Sequence, residues 1–319
     1  MRQPRGARAS RLTAMAVAAM CVWSTVASGQ ESFQFVVSAL EADGQPVSNL
    51  TREDVLFSEN GVANEIVKVE PMRIPVRLTI AVDNGPLSRD ALSHYRSGLE
   101  GLVKALPQDV EVTLITTAPQ PLRVVRPTTD RVQILKGING FGPQDEAPRF
   151  TDSLVEFSKL YEDEFNKKKR FDSIPILVTI STTAIEASSY EVPAVSKALT
   201  FLRARRARVY TVMLSVRQDV EGLAQINTNR QALIAIPATK ATGGKYEALA
   251  ISNRLATLLP EWGEEIAALH RKYNNQTLVT ARRQQGLKGQ LQNPRIELAR
   301  PGITGEVSVD GLPQLPGQP

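Results

Sequence analysis

The residue whose type and setting point most directly to chemistry is Asp83, in the run Ile74-Pro-Val-Arg-Leu-Thr-Ile-Ala-Val-Asp83-Asn-Gly-Pro-Leu-Ser88. An apolar run that stops on a carboxylate and turns straight into a helix reads as the first central strand of a parallel sheet. The acid then stands at the carboxyl end of the strand, where open α/β sheets bind their ligands. Short oxygen-bearing side chains accompany it: Asn84 and Ser88 directly after, Thr151 in a later loop, and Thr182 and Thr183 after the next buried strand. One carboxylate among hydroxyls could serve a cation, an acid–base reaction, or the backbone. Magnesium asks for a near-octahedral set of oxygens with at least one or two carboxylates. Two-carboxylate hydrolysis asks for a second acid, which Asp145, Glu146 or Glu186 could supply from neighbouring loops. The simplest role is structural, with Asp83 accepting hydrogen bonds from the backbone at the start of the helix near Ser88.

Other enzyme signatures are missing. The chain has 2 histidines, His94 and His270, without a His-Glu-x-x-His pair, a Gly-x-Ser-x-Gly elbow or a complete phosphate loop. Both histidines read as ordinary surface or boundary residues. Thr242-Gly243-Gly244-Lys245 lacks the upstream glycine of a phosphate loop and reads as a helix stop. The glycines at 137, 140 and 142 follow a helix and read as loop. Lys167-Lys-Lys-Arg170 reads as a solvated helix end offset by Glu162-Asp-Glu164.

The elements that must hold Asp83 follow from periodicity. Leu92, Tyr95, Leu99, Leu102 and Leu106 step by three and four, one buried helical stripe that Pro107 stops. Val110 to Thr116 and Leu122 to Val125 are short strands too close for a crossover and therefore antiparallel. Helices are expected near Asp130–Lys136, through Leu154, Phe157, Tyr161 and Phe165, over about Val192–Arg206, and through Leu255 to Leu269, the last kinked or interrupted near Pro260. Strands are expected at Ile174–Ile180 and Val209–Leu214. This alternation predicts an α/β fold, a doubly wound, Rossmann-like, mostly parallel sheet with one antiparallel strand. Before it, period-two runs at Phe33–Ala39, Val55–Phe57 and Ile66–Val69 with turns at Asp43-Gly44 and Asn60-Gly61 predict hairpins. After it, Gln276–Ala281, Arg295–Leu298 and Glu306–Val309 predict more strands. Each end is too small to bury a core by itself, so the two are expected to pair as one small β module.

Arg2, Arg5, Arg8 and Arg11, an apolar stretch from Leu12 to Val26 and Ala27-Ser-Gly29 predict a secretory signal peptide over 1–29, cleaved near Gly29. The formal charge of +5 owes four cations to that leader, and the remainder is close to neutral, which gives general nucleic-acid affinity little electrostatic support. The lone Cys21 would leave with the leader, so no disulfide or thiolate metal site is expected. The expected organisation is 1–29 leader, 30–72 N-terminal β segment, 73–272 α/β domain, 273–310 C-terminal β segment packing with 30–72, and 311–319 a disordered tail. The mature chain is expected to lack a transmembrane segment and to be periplasmic or secreted.

The order of these features resembles the von Willebrand factor A-type domain family, in particular its secreted bacterial VWFA-related group. The resemblance is carried by Asp43-Gly-Gln-Pro-Val-Ser-Asn-Leu-Thr-Arg-Glu-Asp-Val55, Glu59-Asn-Gly61, the strand ending at Asp83, and Thr242-Gly-Gly-Lys-Tyr246. The family's metal-ion-dependent adhesion site is Asp-x-Ser-x-Ser, a later Thr, and an Asp after the fourth strand. Here the first element is Asp83-Asn-Gly85-Pro-Leu87, Pro148 aligns with the threonine unless Thr151 substitutes, and Ser181-Thr182-Thr183 stands where the family reads Ser-Asp-Gly. The resemblance therefore implies a binding module with a degenerate metal site. The expectation is a non-catalytic, extracytoplasmic protein-interaction module that uses no cofactor or metal and binds a protein partner, not nucleic acid, around Asp83, Asn84, Ser88, Thr151, Thr182 and Thr183. The alternatives are an enzyme acting on an extracellular polymer, or a structural component of an envelope assembly.

Overall fold

The computed structural model describes residues 31–168, 172–216, 224–284 and 289–312. The expected leader and residues 313–319 lie outside them. In chain order the strands and helices are β1 Ser32–Leu40, β2 Val55–Glu59, β3 Val62–Met72, β4 Val76–Val82, α1 Leu92–Ala105, β5 Glu111–Thr116, β6 Leu122–Thr128, α2 Arg131–Gly140, α3 Phe150–Lys168, β7 Ile174–Thr182, α4 Val192–Ala204, β8 Arg208–Leu214, α5 Ala224–Thr242, β9 Tyr246–Leu249, α6 Leu255–Tyr273, β10 Gln276–Arg282, β11 Pro294–Leu298 and β12 Thr304–Ser308. They form two units, one from the described residues up to Ile74 with Arg271–Leu312, the other Pro75–His270.

The first unit is a six-stranded antiparallel sheet in the order β11-β2-β3-β10-β1-β12. Strands from the two ends of the chain interleave, β10 lying between β3 and β1 with Val279 opposite both Val69 and Phe35. Alternation puts Phe33, Phe35 and Phe57 on one face, where their rings sit 5.7–5.8 Å apart in the core. Asn60 and Gly61, at φ 51° and 79°, make the tight turn that Asn-Gly favours between β2 and β3. Thr51-Arg-Glu-Asp54 forms a turn in which Asp54 accepts from both the amide and the hydroxyl of Thr51, the bonding of a capped turn. Gly311 and Leu312, grouped by composition with a frayed tail, are buried: Gln276 Nε2 donates to the Gly311 carbonyl at 2.8 Å.

The second unit is a six-stranded sheet in the order β6-β5-β4-β7-β8-β9, with β5/β6 antiparallel and the other pairs parallel. Numbered within the unit this is the order 3-2-1-4-5-6, whose reversal point lies between β4 and β7. Every residue of β7 is buried. Leu154, Phe157 and Tyr161 of α3, Leu202 of α4 and Ala238 of α5 form one core cluster with Val209 on one face. Trp262 of α6 meets the next residue, Tyr210, with ring centroids 5.4 Å apart. Since neighbouring strand residues point to opposite faces, helices cover both. α1 and α6 approach closely at glycines: a Cβ on Gly98 would lie 2.6 Å from the Leu255 carbonyl, and one on Gly263 2.7 Å from that of Leu102.

Three local readings differ from the sequence expectation. Gly137 and Gly140 belong to α2, and Gly137 lets that helix sit on Val125 of β6, whose Cγ2 would be 2.1 Å from an added Cβ. Helix α5 ends at Thr242, where the helix stop was read, but its body was not expected, because its apolar residues follow no single stripe: Leu233 and Ile236 are exposed while Ala235 and Ala238 are buried. His270 is buried and not a boundary residue; its Nδ1 accepts from the Val76 amide and its Nε2 faces Asp109 at 3.0 Å.

Candidate functional site at the carboxyl ends of the strands

The ends of β4 and β7 flank the reversal point and bring Asp83 and Thr182 together. Thr182 donates to Asp83 Oδ2 from its hydroxyl at 2.6 Å and from its amide at 3.1 Å, and the Gly85 amide donates to Oδ1 at 2.8 Å. Asp83 is thus tied to the neighbouring strand end and to the tight turn after β4. It does not cap the following helix, which begins as a 3₁₀ turn over Pro86–Ala91 with Gly85 at its head. Burial pushes the Asp83 carboxyl above its ordinary range, against the lowering effect of these three hydrogen bonds. Burial, and then the charge of Asp83, push the Tyr95 hydroxyl on α1 well up too.

The other expected site residues fasten loops. Asn84 accepts from the Ala118 amide and donates to the Gly142 carbonyl, each at 3.0 Å, joining the two loops beside it. Ser88 donates to the Gly85 carbonyl at 2.7 Å. Thr183 accepts from the Val216 amide at 3.0 Å. Thr151, at the start of α3, pairs with Glu186: its hydroxyl and amide donate to that carboxylate at 2.5 and 2.9 Å. An acid here also complements the positive end of α3. Arg230 faces Glu186 at 3.5 Å, and Asp152 accepts from the amides of Ser189 and Tyr190. The roles of Glu186 and Asp152 as clamps on the 183–191 loop carry no local sequence signal, since the partners lie more than thirty positions apart.

Of the six residues expected to meet a partner, Asp83, Asn84, Ser88, Thr151 and Thr182 are buried and Thr183 is half-buried. Their polar atoms are turned toward their own chain. The accessible rim consists of other residues: Leu87, 40% exposed, with Pro86, Arg89, Asp90, Asp145, Glu146 and Ile251. Arg89 reaches Asp145 at 3.0 Å, bridging the turn that Gly85 heads and the loop that covers it.

A divalent cation does not fit these donors. Leu87 is apolar, the Thr151 hydroxyl is committed to Glu186, and Asp83 Oδ2 is committed to Thr182. A Cβ at Gly85 would lie 2.9 Å from Pro148 Cδ, so a serine there would meet that ring. Among the described residues no group of three or more His, Cys, Asp or Glu side chains could hold a metal. No described helix is long and apolar enough to cross a membrane.

No family model matches the chain, and no curated protein does. Among solved structures, the chain is similar to a conserved hypothetical protein, BatB, from Bacteroides thetaiotaomicron (14% identity, 60% of this chain and 98% of that one, TM-score 0.45). It is similar to a von Willebrand factor type A protein from Catenulispora acidiphila (10% identity, 92% and 78%, TM-score 0.44). A third is the manganese-loaded TRAP protein of Plasmodium vivax (16% identity, 76% and 97%, TM-score 0.43). These scores are too low to speak for function, and the fold rests on the strand order and directions given above. In that order, with its antiparallel edge strand β6, the α/β unit resembles a von Willebrand factor type A domain.

Proposed function

We propose that this chain is a non-catalytic, extracytoplasmic protein-interaction module whose α/β unit binds a protein partner, without a divalent ion, through the rim at the carboxyl ends of its strands. The observation that carries the reading is the closure of the Asp83 site upon itself: Thr182 and Gly85 supply three hydrogen bonds to the carboxylate. An acid so committed is poorly placed to take a proton from a substrate or to ligate an ion. What remains for recognition is the rim. Leu87 and Ile251 offer apolar contact, and Arg89, Asp90, Asp145 and Glu146 offer charge. Fixed loops favour binding because little order must be gained on contact, and Asn84, Thr151 and Glu186 fix them here.

The test is capture of partners by the immobilised full chain from an extracytoplasmic fraction, set beside a Leu87→Asp/Arg89→Glu variant with an unchanged melting temperature. A partner retained by the native chain and lost by the variant supports the rim. Equal retention by both overturns it, and hydrolysis of a polymer substrate that ceases in Asp83→Asn would replace it with the enzyme reading.

A further inference from the structure

Strand β6 is one edge of the α/β sheet, paired among the described residues on one side, with β5. It runs for seven residues, its register against β5 shifting between Val112 and Leu114 and between Leu114 and Ile115, and an exposed sheet edge presents unpaired main-chain groups to another strand. Val125 is its one buried residue, held against Gly137 of α2. Leu122 is 58% exposed and Val124 37%, and Val132, in the first turn of the adjoining α2, is 77% exposed. The cations between them are exposed too. Arg123 and Arg126 make no ion pair among the described residues, in contrast to Arg77, Arg149, Arg282 and Arg300, each of which meets a carboxylate. Lys136 on α2 is likewise exposed and without an ion pair there. Asp130, which follows β6 in the chain, is engaged as the cap of α2, accepting from the Val132 and Gln133 amides.

We propose that the β6 edge is a second docking surface, distinct from the rim, for an extended acidic segment of another protein that lies along Leu122–Arg126. Main-chain hydrogen bonds to the open edge would give affinity, and alternate side chains would give selectivity. Charge decides the occupant. A second copy of this edge would bring Arg123 and Arg126 against their own kind, and like charges placed opposite each other destabilise a strand pair. A strand carrying carboxylates between apolar residues meets both features, covering Leu122 and Val124 while neutralising the arginines. Pro127, which has no N–H, limits the docking length to the residues before it.

The experiment uses the full chain and two blocked, fluorescently labelled eight-residue peptides, one alternating valine with glutamate and one alternating valine with lysine. Anisotropy titration at low salt should show binding of the glutamate peptide only. The affinity should weaken in high salt and fall about ten-fold or more in Arg123→Glu/Arg126→Glu, two like-charge contacts replacing two opposite ones. Amide exchange at Leu122–Arg126 should slow when the peptide is bound. The proposal is overturned by absence of binding at millimolar peptide, by equal binding of the lysine peptide, by an acidic-peptide affinity unchanged in the double variant, or by self-association of the native chain that the double variant abolishes. Because the rim is untouched by these substitutions, partner capture through Leu87 and Arg89 should survive them, which separates failure of this surface from failure of the other.

Discussion

The Thr182 hydroxyl donates to Asp83 Oδ2 at 2.6 Å across the junction of β4 and β7. This bond joins the two strand ends at the point where the sheet order reverses. It should therefore matter to stability before it matters to recognition. Thr182→Val keeps the shape and removes the donor, leaving a buried carboxylate short of one bond, and should cost about 1–3 kcal/mol. Asp83→Ala strands the Thr182 hydroxyl and two amides and should cost more, about 2–4 kcal/mol. Urea unfolding of the two variants against the native chain checks both.

Magnesium or manganese should give no saturable heat in calorimetric titration and no rise in melting temperature. Specific binding would stabilise by mass action, so even weak occupancy is readable as a shift. A stoichiometric micromolar site lost in Asp83→Ala would mean that the Thr182 bond opens to admit the ion.

In the β unit, Asp54 receives Arg300 Nε at 3.1 Å and the Thr51 amide at 2.7 Å. The Arg300 hydrogen bond is the main cause that holds the Asp54 carboxyl at about 2, below its ordinary 3.8. The unfolded chain binds the proton first as pH falls, so this contribution is complete above about pH 4 and is lost as pH drops toward 2. Thermal melts between pH 5 and 2 should decline less steeply for Asp54→Asn than for the native chain.

Arg283 and Glu59 form a two-pronged buried pair, Nε to Oε2 at 3.0 Å and Nη2 to Oε1 at 2.6 Å, with side chains 3% and 0% exposed. Removing one partner, as in Arg283→Met, strands the other charge and should cost roughly 3–5 kcal/mol. Replacing both with apolar residues should cost less than either single change. A double-mutant cycle by chemical unfolding measures the difference.

Gly244 closes the turn from α5 into β9, and a Cβ there would stand 1.9 Å from the Val209 carbonyl oxygen. The obstacle is backbone and cannot swing aside. Gly244→Ala should lose about 3 kcal/mol or more, whereas Gly142→Ala, with open space around it, should stay within about 0.5 kcal/mol.

Much of this molecule was legible in the sequence because the signals are local. Period two with Asn60-Gly61 marks β2 and β3, spacing by three and four marks α1, and an apolar run ending at Asp83 marks β4 and its carboxyl end. Each needs only the preferences of neighbouring residues. The helix α5 escaped because its apolar residues are divided between the core and solvent, which only its position on β8 explains.

The sequence by itself determined the alternation of strands and helices and the one acid at the end of the first central strand. Tertiary structure decided what that acid does. Thr182 lies 99 positions from Asp83, Glu186 lies 35 from Thr151, and Glu59 lies 224 from Arg283. No spacing rule reaches across such intervals, because those pairs meet only after strand order and register are set. Burial is fixed by the same event: once β4 and β7 lie side by side and the 142–148 loop covers Gly85, polar groups that a linear reading places at a surface must bond to one another, since leaving them unpaired inside would cost more than the fold can spare.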